Sequence, residues 1–277
     1  MARRSGHVGM FLAAALLLAA AACDSRRTDG GEPAIAVSSS YIECAVRDLL
    51  GAATPVMRLA EPGMCPGHFD LRPAQVRRMR ACRILLRFSF QAALDRQLQT
   101  VDGLTVGAIA PGGGMCVPQT YIGVCRQTAD ALVKAGMLSA DEAERRLQAI
   151  QERLATKAAA LRESIVRAGL SEAPVLASGH QAAFCRYLGL EVAAAISGSD
   201  SASVRQIDQA LDLGRKKRCR LVIANRPEGT QLAESVAERL GAKLVVFDNF
   251  PDMSESQRDF DALIAENVRR LLAAAGS

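Results

Sequence analysis

Residues 139–168 read SADEAERRLQAIQERLATKAAALRESIVRA, the longest unbroken amphipathic pattern in the chain. Leu147, Ile150, Leu154, Ala158, Leu161 and Ile165 recur at steps of three and four, which lays one apolar stripe along a single helix. Ser139 followed by Glu142 is a capping-box start, and Gly169 with Pro174 beyond it is a stop. At 1.5 Å per residue the helix is roughly 44 Å long, more than one small domain is wide. To either side, short apolar strands alternate with amphipathic helices. This stretch therefore reads as a rigid connector between two similar α/β lobes, each with a parallel-rich four-stranded sheet. The alternative is one long surface helix on a single domain.

The N-terminal lobe, 34–138, has strands at AIAVSSS (34–40), TPVMRLA (54–60), RILLRF (83–88) and LTVGAIA (104–110). Helices follow at 41–51, at PAQVRRMRA, at SFQAALDRQLQT and from Gln119 to about Ala135. The loops EPGMCPGHFDLRP (61–73) and PGGGMCVP (111–118) carry Cys65, His68 and Cys116. After the connector, 139–169, the same grammar restarts in a C-terminal lobe, 170–277. Its strands are PVLAS (174–178), LEVAAAIS, RLVIAN (220–225) and KLVVFDNF (243–250). His180 follows the first of these strands and Asp248 stands at the end of the last. Loops after parallel strands are where open α/β sheets gather ligands.

Residues 1–23 form a leader. Arg3 and Arg4 precede an apolar run from Met10 to Ala22 that is too short to span a membrane, and small residues lead into Cys23. This resembles the lipobox of bacterial lipoproteins, which implies that Cys23 is acylated and that SRRTDGGEP within 24–33 is a tether. An ordinary signal peptide is the alternative. Either way the chain works outside the cytoplasm, on the periplasmic or cell-surface side of a bacterial membrane. Cysteines there pair, bind metal or stay buried. Cys44 and Cys82 in the first lobe occupy places equivalent to Cys185 and Cys219 in the second. The expectation is one disulfide per lobe, Cys44–Cys82 and Cys185–Cys219, against the alternative of four buried core thiols. Cys65 with Cys116, or Cys116 with Cys125, are further possible pairs.

Lys and Arg total 34 against 29 Asp and Glu, a formal charge of +5 that includes Arg3 and Arg4. That is too weak and dispersed to argue for nucleic acid, and Arg77, Arg78, Arg80, Arg83 and Arg87 read as a solvated helix face and strand edge. Nucleophile elbow, P-loop and dinucleotide fingerprint are all missing from the sequence. The Gly-rich PGGGMC lacks the P-loop lysine and hydroxyl, so an enzyme is not expected.

In motif order the chain resembles the substrate-binding lipoproteins of zinc and manganese ABC importers. SSSYIECAVRDLLG fits the family's opening, EPGMCPGHFDLRP stands where its first ligand loop reads P-P-G-x-D-P-H-x-F-E-P, and the long helix follows. HQAAFCRYLGL, VVFDNFP and DFDALIAENVRRLLAA match its later segments. The resemblance implies two lobes that close on a transition metal and deliver it to an ABC permease. Its ligand positions match His180 and Asp248 best, and the expected set is completed by His68 and Cys116 from neighbouring positions, with Cys65 as a substitute sulfur. The departures are specific. Gly67 stands where the family has its first histidine, and Gly113 where it has its second. A three-histidine site is ruled out, because His68 and His180 are the only histidines after the leader. Imidazole, thiolate and carboxylate together suit zinc, with copper and manganese as alternatives. The competing expectation is a metal-free, degenerate solute-binding scaffold or redox-related lipoprotein with structural cysteines.

Overall fold

The computed structural model describes residues 33–64, 70–99, 101–198 and 202–276. In the first half, β1 (Ile35–Val37), β2 (Val56–Arg58), β3 (Ile84–Phe88) and β4 (Thr105–Ile109) form a parallel sheet in the order β2-β1-β3-β4. In the second half, β5 (Pro174–Ser178), β6 (Glu191–Ile196), β7 (Leu221–Asn225) and β8 (Lys243–Phe247) repeat it as β6-β5-β7-β8. The fold is therefore α/β, with two similar lobes of four parallel strands each. Both sheets reverse strand order beside their first strand. At such a switch point the loops at the strand C-termini diverge and leave a crevice.

Helices α1 (Ser40–Leu50), α2 (Pro73–Met79) and α3 (Pro118–Lys134) belong to the first half. Helices α5 (Gly179–Tyr187), α6 (Val204–Lys217), α7 (Gln231–Leu240) and α8 (Phe260–Gly276) belong to the second. Between them runs the long helix α4 (Ala140–Arg167). Ser139 accepts from the Glu142 amide, but Glu142 does not reach back to close a capping box; it binds Arg145 and Arg146 instead. Gly169 takes a left-handed φ of 68°, and the Leu170 amide returns to the Ile165 carbonyl, ending the helix. The expected stripe is the buried one, with Ile150, Leu154, Ala158 and Ile165 inside and Leu147 and Leu161 at its margin.

Helix α4 packs on α3 and α1 of the first half and on α8 of the second. Arg153 of α4 ties α1 and α8 to it: it donates twice to Asp48 of α1, at 2.9 and 2.7 Å, and meets Asp261 of α8 at 3.2 Å. One hydrophobic cluster runs through both halves, from Val37 and Tyr41 to Phe184, Phe247 and Phe260. Tyr121 of α3 stacks flat on Phe260 of α8, ring centroids 4.0 Å apart, and Tyr41 sets its edge against Phe250 and Phe260. The lobes thus share one hydrophobic core.

Three expectations are corrected. The disulfides Cys44–Cys82 and Cys185–Cys219 are not formed, since Cys44, Cys185 and Cys219 are free thiols. The reason is the sheet: Cys44 and Cys185 lie in the shared central core, whereas Cys82 and Cys219 lie in separate clusters with Ala36 and Leu85 or Leu176 and Val222. Those strand residues alternate with Val37, Leu86 and Val175 of the central core, so the two cysteines of each lobe sit on opposite faces. Residues 89–98, expected as an α-helix, are 3₁₀ turns kinked at Gln91. There Gln91 accepts from the Phe88 amide at 2.9 Å and Asp95 is drawn back to Arg87. Arg87 is accordingly buried and paired with Asp95, not solvated.

The halves touch closely at Gly114, whose φ is +78° and where a Cβ would lie 2.7 Å from that of Ala183. Gly103 has a similar φ of +75° but open space around it. Gly103→Ala should lower the unfolding free energy by about 1 kcal/mol for its left-handed backbone alone. Gly114→Ala should cost about 2–4 kcal/mol, because overpacking is added to the same backbone penalty. Urea unfolding of both variants checks this, and equal losses would show that the lobes do not meet at Gly114.

Candidate functional site

The strand C-termini of the second lobe carry an unusual density of polar side chains. Asp248 follows β8 and is 4% exposed, and four neighbours hold it. Its amide donates to the Asn267 side-chain oxygen at 3.0 Å, and its carbonyl accepts from Asn267 Nδ2 at 2.9 Å. Its carboxylate oxygen Oδ1 accepts from Arg226 Nε at 2.6 Å. Oδ2 accepts from Gln257 Nε2 and from an Arg270 guanidinium nitrogen, both at 2.7 Å. A buried carboxylate is tolerable only when paired and hydrogen-bonded in this way.

Cys116 reaches the same residue from the first lobe. Its buried Sγ donates to the Asp248 carbonyl at 3.0 Å and accepts from Asn267 Nδ2 at 3.5 Å. Burial, then the Asp248 charge, raises its pKa far above the ordinary thiol value, so it is a protonated donor to a backbone oxygen. Sequence reasoning placed Cys116 and Asp248 together, and the geometry does so, although through the main chain of Asp248 and not its carboxylate.

His180 occupies the second position of α5, just after β5. Its amide is capped by Ser178 Oγ at 3.3 Å, and its exposed imidazole Nε2 lies 3.2 Å from Glu228 Oε1. Ser178 Oγ in turn donates to the other Glu228 oxygen. Arg226 and Glu228 belong to one short turn, Arg226–Glu228, that follows β7. That turn therefore hands a cation to Asp248 and an anion to His180. Beneath it Gln181 donates to Asn225 and Asn249, at 3.0 and 2.8 Å, knitting the ends of α5, β7 and β8.

Across from Asp248 lies the start of the first lobe's Pro-Gly loop. Pro62, Gly63 and Met64 face Arg226, Pro227, Asp248 and Asp252 around an open cleft of about 400 Å³. The Gly63 amide donates to the Pro251 carbonyl at 3.0 Å, fixing the two walls. Cys65 and His68, expected from the same loop, lie outside the described residues, as does Cys23. Among the described residues no three His, Cys, Asp or Glu side chains converge as a metal cluster. The carboxylates that line this cleft, Asp248 and Asp252, are of the kind that zinc and manganese accept, whereas His180 pairs with Glu228 outside that lining. Of the Asp248 carboxylate oxygens, Oδ1 carries a single donor, Arg226, and Oδ2 carries two.

Arg226, Glu228, Gln257 and Arg270 were missed in the sequence. The signal available for the first two was RPEG directly after the strand RLVIAN, a strand-to-turn junction at the sheet's ligand-gathering end.

The family model described as ZnuA, zinc-uptake complex component A periplasmic, matches residues 116–274. No curated protein matches the sequence. Among solved structures, the Mn-bound periplasmic metal binding protein from candidatus liberibacter asiaticus superposes with a TM-score of 0.72 at 12% identity, covering 87% of this chain and 98% of its own. The Cd-bound form of that protein gives 0.72 at 13% identity, with 87% and 98% covered. A crystal structure of ZnuA gives 0.70 at 16%, again covering 87% and 98%. At these identities the likeness is one of fold.

The thiols set a pH dependence. Burial pushes Cys185 from an ordinary 9.0 up to about 12, and Cys116 is shifted the same way. A group whose pKa is raised by folding stabilises fully below its unfolded pKa and loses that contribution as pH climbs toward the folded value. Unfolding free energy should therefore fall from about pH 9 upward, and Cys185→Ala should flatten the slope between 9 and about 12. Denaturant titrations at stepped pH measure it. An alkaline slope identical in the variant would mean that Cys185 is not protected by burial.

Proposed function

The chain belongs to the family of periplasmic zinc-uptake components, and from that premise we propose that it captures a transition-metal cation in the cleft beside Asp248 and passes it to an ABC permease. Family membership supports reading it as an extracytoplasmic solute-binding transport protein that carries out no covalent chemistry. The finer reading is zinc as cargo, ahead of copper and manganese, with His180 and Asp248 from one lobe and His68 and Cys65 from the other as donors. What carries it is the position of Asp248: a nearly buried carboxylate on the wall of an interlobe cleft, opposite the loop that leads into Cys65 and His68. Cys116 would contribute only after losing a proton that burial holds on it.

The three-part layout of 34–138, 139–169 and 170–277 suits this task. A helix clamped to both lobes and a shared aromatic core resist wide hinge opening, so cargo exchange would proceed through small loop and lobe shifts. Acylation of Cys23 would hold the protein at the membrane beside its permease. Cys23→Ser should then move it to the soluble fraction, and absence of labelled fatty acid from the wild type would discard the anchor.

A second reading, a metal-free scaffold, is favoured by one observation: both Asp248 oxygens are already satisfied by protein donors. Calorimetric zinc titration separates the two. Wild-type protein with reduced thiols should bind zinc tighter than micromolar. His180→Ala should weaken it by more than about a hundredfold, beyond the roughly 10–100-fold that an outer-shell substitution costs. Loss in His180→Ala without loss in His68→Ala would remove His68 from the set. No zinc, copper or manganese binding at all would leave the scaffold reading.

A further inference from the structure

We infer that Arg226 is a tethered stand-in for the cargo: its guanidinium holds the Asp248 carboxylate, and a divalent cation gains Oδ1 of that carboxylate by displacing it. The inference rests on the cation-capture reading above and names how the same site is regulated.

The two arginines at Asp248 are held very differently. Arg270 projects from α8 and is fixed on three sides: Nε donates to Glu266 at 2.9 Å, and one terminal nitrogen reaches both the Val246 carbonyl at 3.1 Å and Asp248 at 2.7 Å. Its side chain is 23% exposed, and Glu266, held ionised by Arg269 and Arg270, keeps a full countercharge beside it. Arg270 is a permanent part of the wall. Arg226 stands on a short turn, its side chain is 57% exposed, and among the described residues its side chain has one hydrogen-bonded partner, Asp248, through Nε at 2.6 Å. It also lines the open cleft of about 400 Å³, which gives the guanidinium room to swing away without moving the backbone. Of the donors to the carboxylate, Gln257 and Arg270 are packed and Arg226 is the one able to leave.

Charge gives the exchange its direction. With Arg226 in place Asp248 already faces two guanidiniums, so a dication entering beside them would meet like charge on the oxygen it needs. Once Arg226 withdraws, Asp248 keeps Arg270 and Gln257 on Oδ2 and offers Oδ1 to the cleft. With Arg226 on Oδ1 the carboxylate is charge-satisfied, and a monovalent ion gains nothing by replacing a tethered cation of the same charge. A dication, with twice the charge to set against Asp248 and Asp252 on the cleft wall, does gain. The apparent affinity is the intrinsic one reduced by the fraction of molecules whose Arg226 is already out.

The experiment measures zinc affinity against a chromophoric chelator for wild type, Arg226→Gln, Arg226→Lys and Arg270→Gln, and follows the Arg226 Nε–H resonance of wild type during zinc titration. Arg226→Gln should bind roughly tenfold tighter or more, since the competing fraction is removed. Arg226→Lys should stay near wild type, and Arg270→Gln should lower the urea midpoint without tightening zinc. Zinc should shift the wild-type Arg226 resonance. If wild type binds zinc while that resonance stays put and Arg226→Gln binds no tighter, the inference is overturned and capture stands. Binding by Arg226→Gln alone would uphold the inference and reject capture by the native protein. Failure of both to bind zinc would reject both.

Discussion

Much of the molecule hangs on the need to neutralise one buried carboxylate. Asp248 ends the last strand, where the sheet would otherwise open to solvent, yet it is nearly inaccessible. Satisfying it recruits the turn after β7 through Arg226, the segment before α8 through Gln257, and α8 itself through Asn267 and Arg270. Its carbonyl also receives Cys116 from the other lobe. Removing any one partner would leave a charge or a dipole unpaired in a low-dielectric setting, which is why such arrangements specify a geometry more strongly than they stabilise it.

That geometry is transmitted by packing. The flat stack of Tyr121 on Phe260 places α3 and α8 in fixed register, and Arg153 repeats the constraint from the outer side by gripping Asp48 and Asp261. Interlobe motion on this plan is a matter of loops sliding on a common core. At the cleft the two walls are joined by the Gly63–Pro251 backbone bond.

The sequence was most informative where periodicity is long. The stripe from Leu147 to Ile165 specified α4 to within a residue or so, and the strand-helix alternation specified two repeated parallel sheets, because burial imposes those patterns directly. Asp248 was legible as the end of a β-branched run followed by turn residues. What the sequence could not carry was pairing across the fold. Nothing in RPEG says that its arginine reaches Asp248 while its glutamate reaches His180, since that depends on how two strand ends abut. Equivalent cysteine placement looked like a disulfide pattern, but position along the chain is silent on which sheet face a residue occupies. The 3₁₀ turns after β3 arose from side chains of Gln91 and Asp95 bonding backward, a local competition that apolar spacing does not register.

Sulfur in this protein is guarded by packing. Cys44, Cys116, Cys125 and Cys185 are free thiols sealed in the core, in a protein whose family works outside the reducing cytoplasm. A thiol with no solvent access and no tendency to ionise is inert to exchange until its surroundings open. The oxidative lifetime of the molecule is thus set by its unfolding rate, and its biogenesis becomes a race in which the core must close before an oxidant finds a partner for any one of these sulfurs.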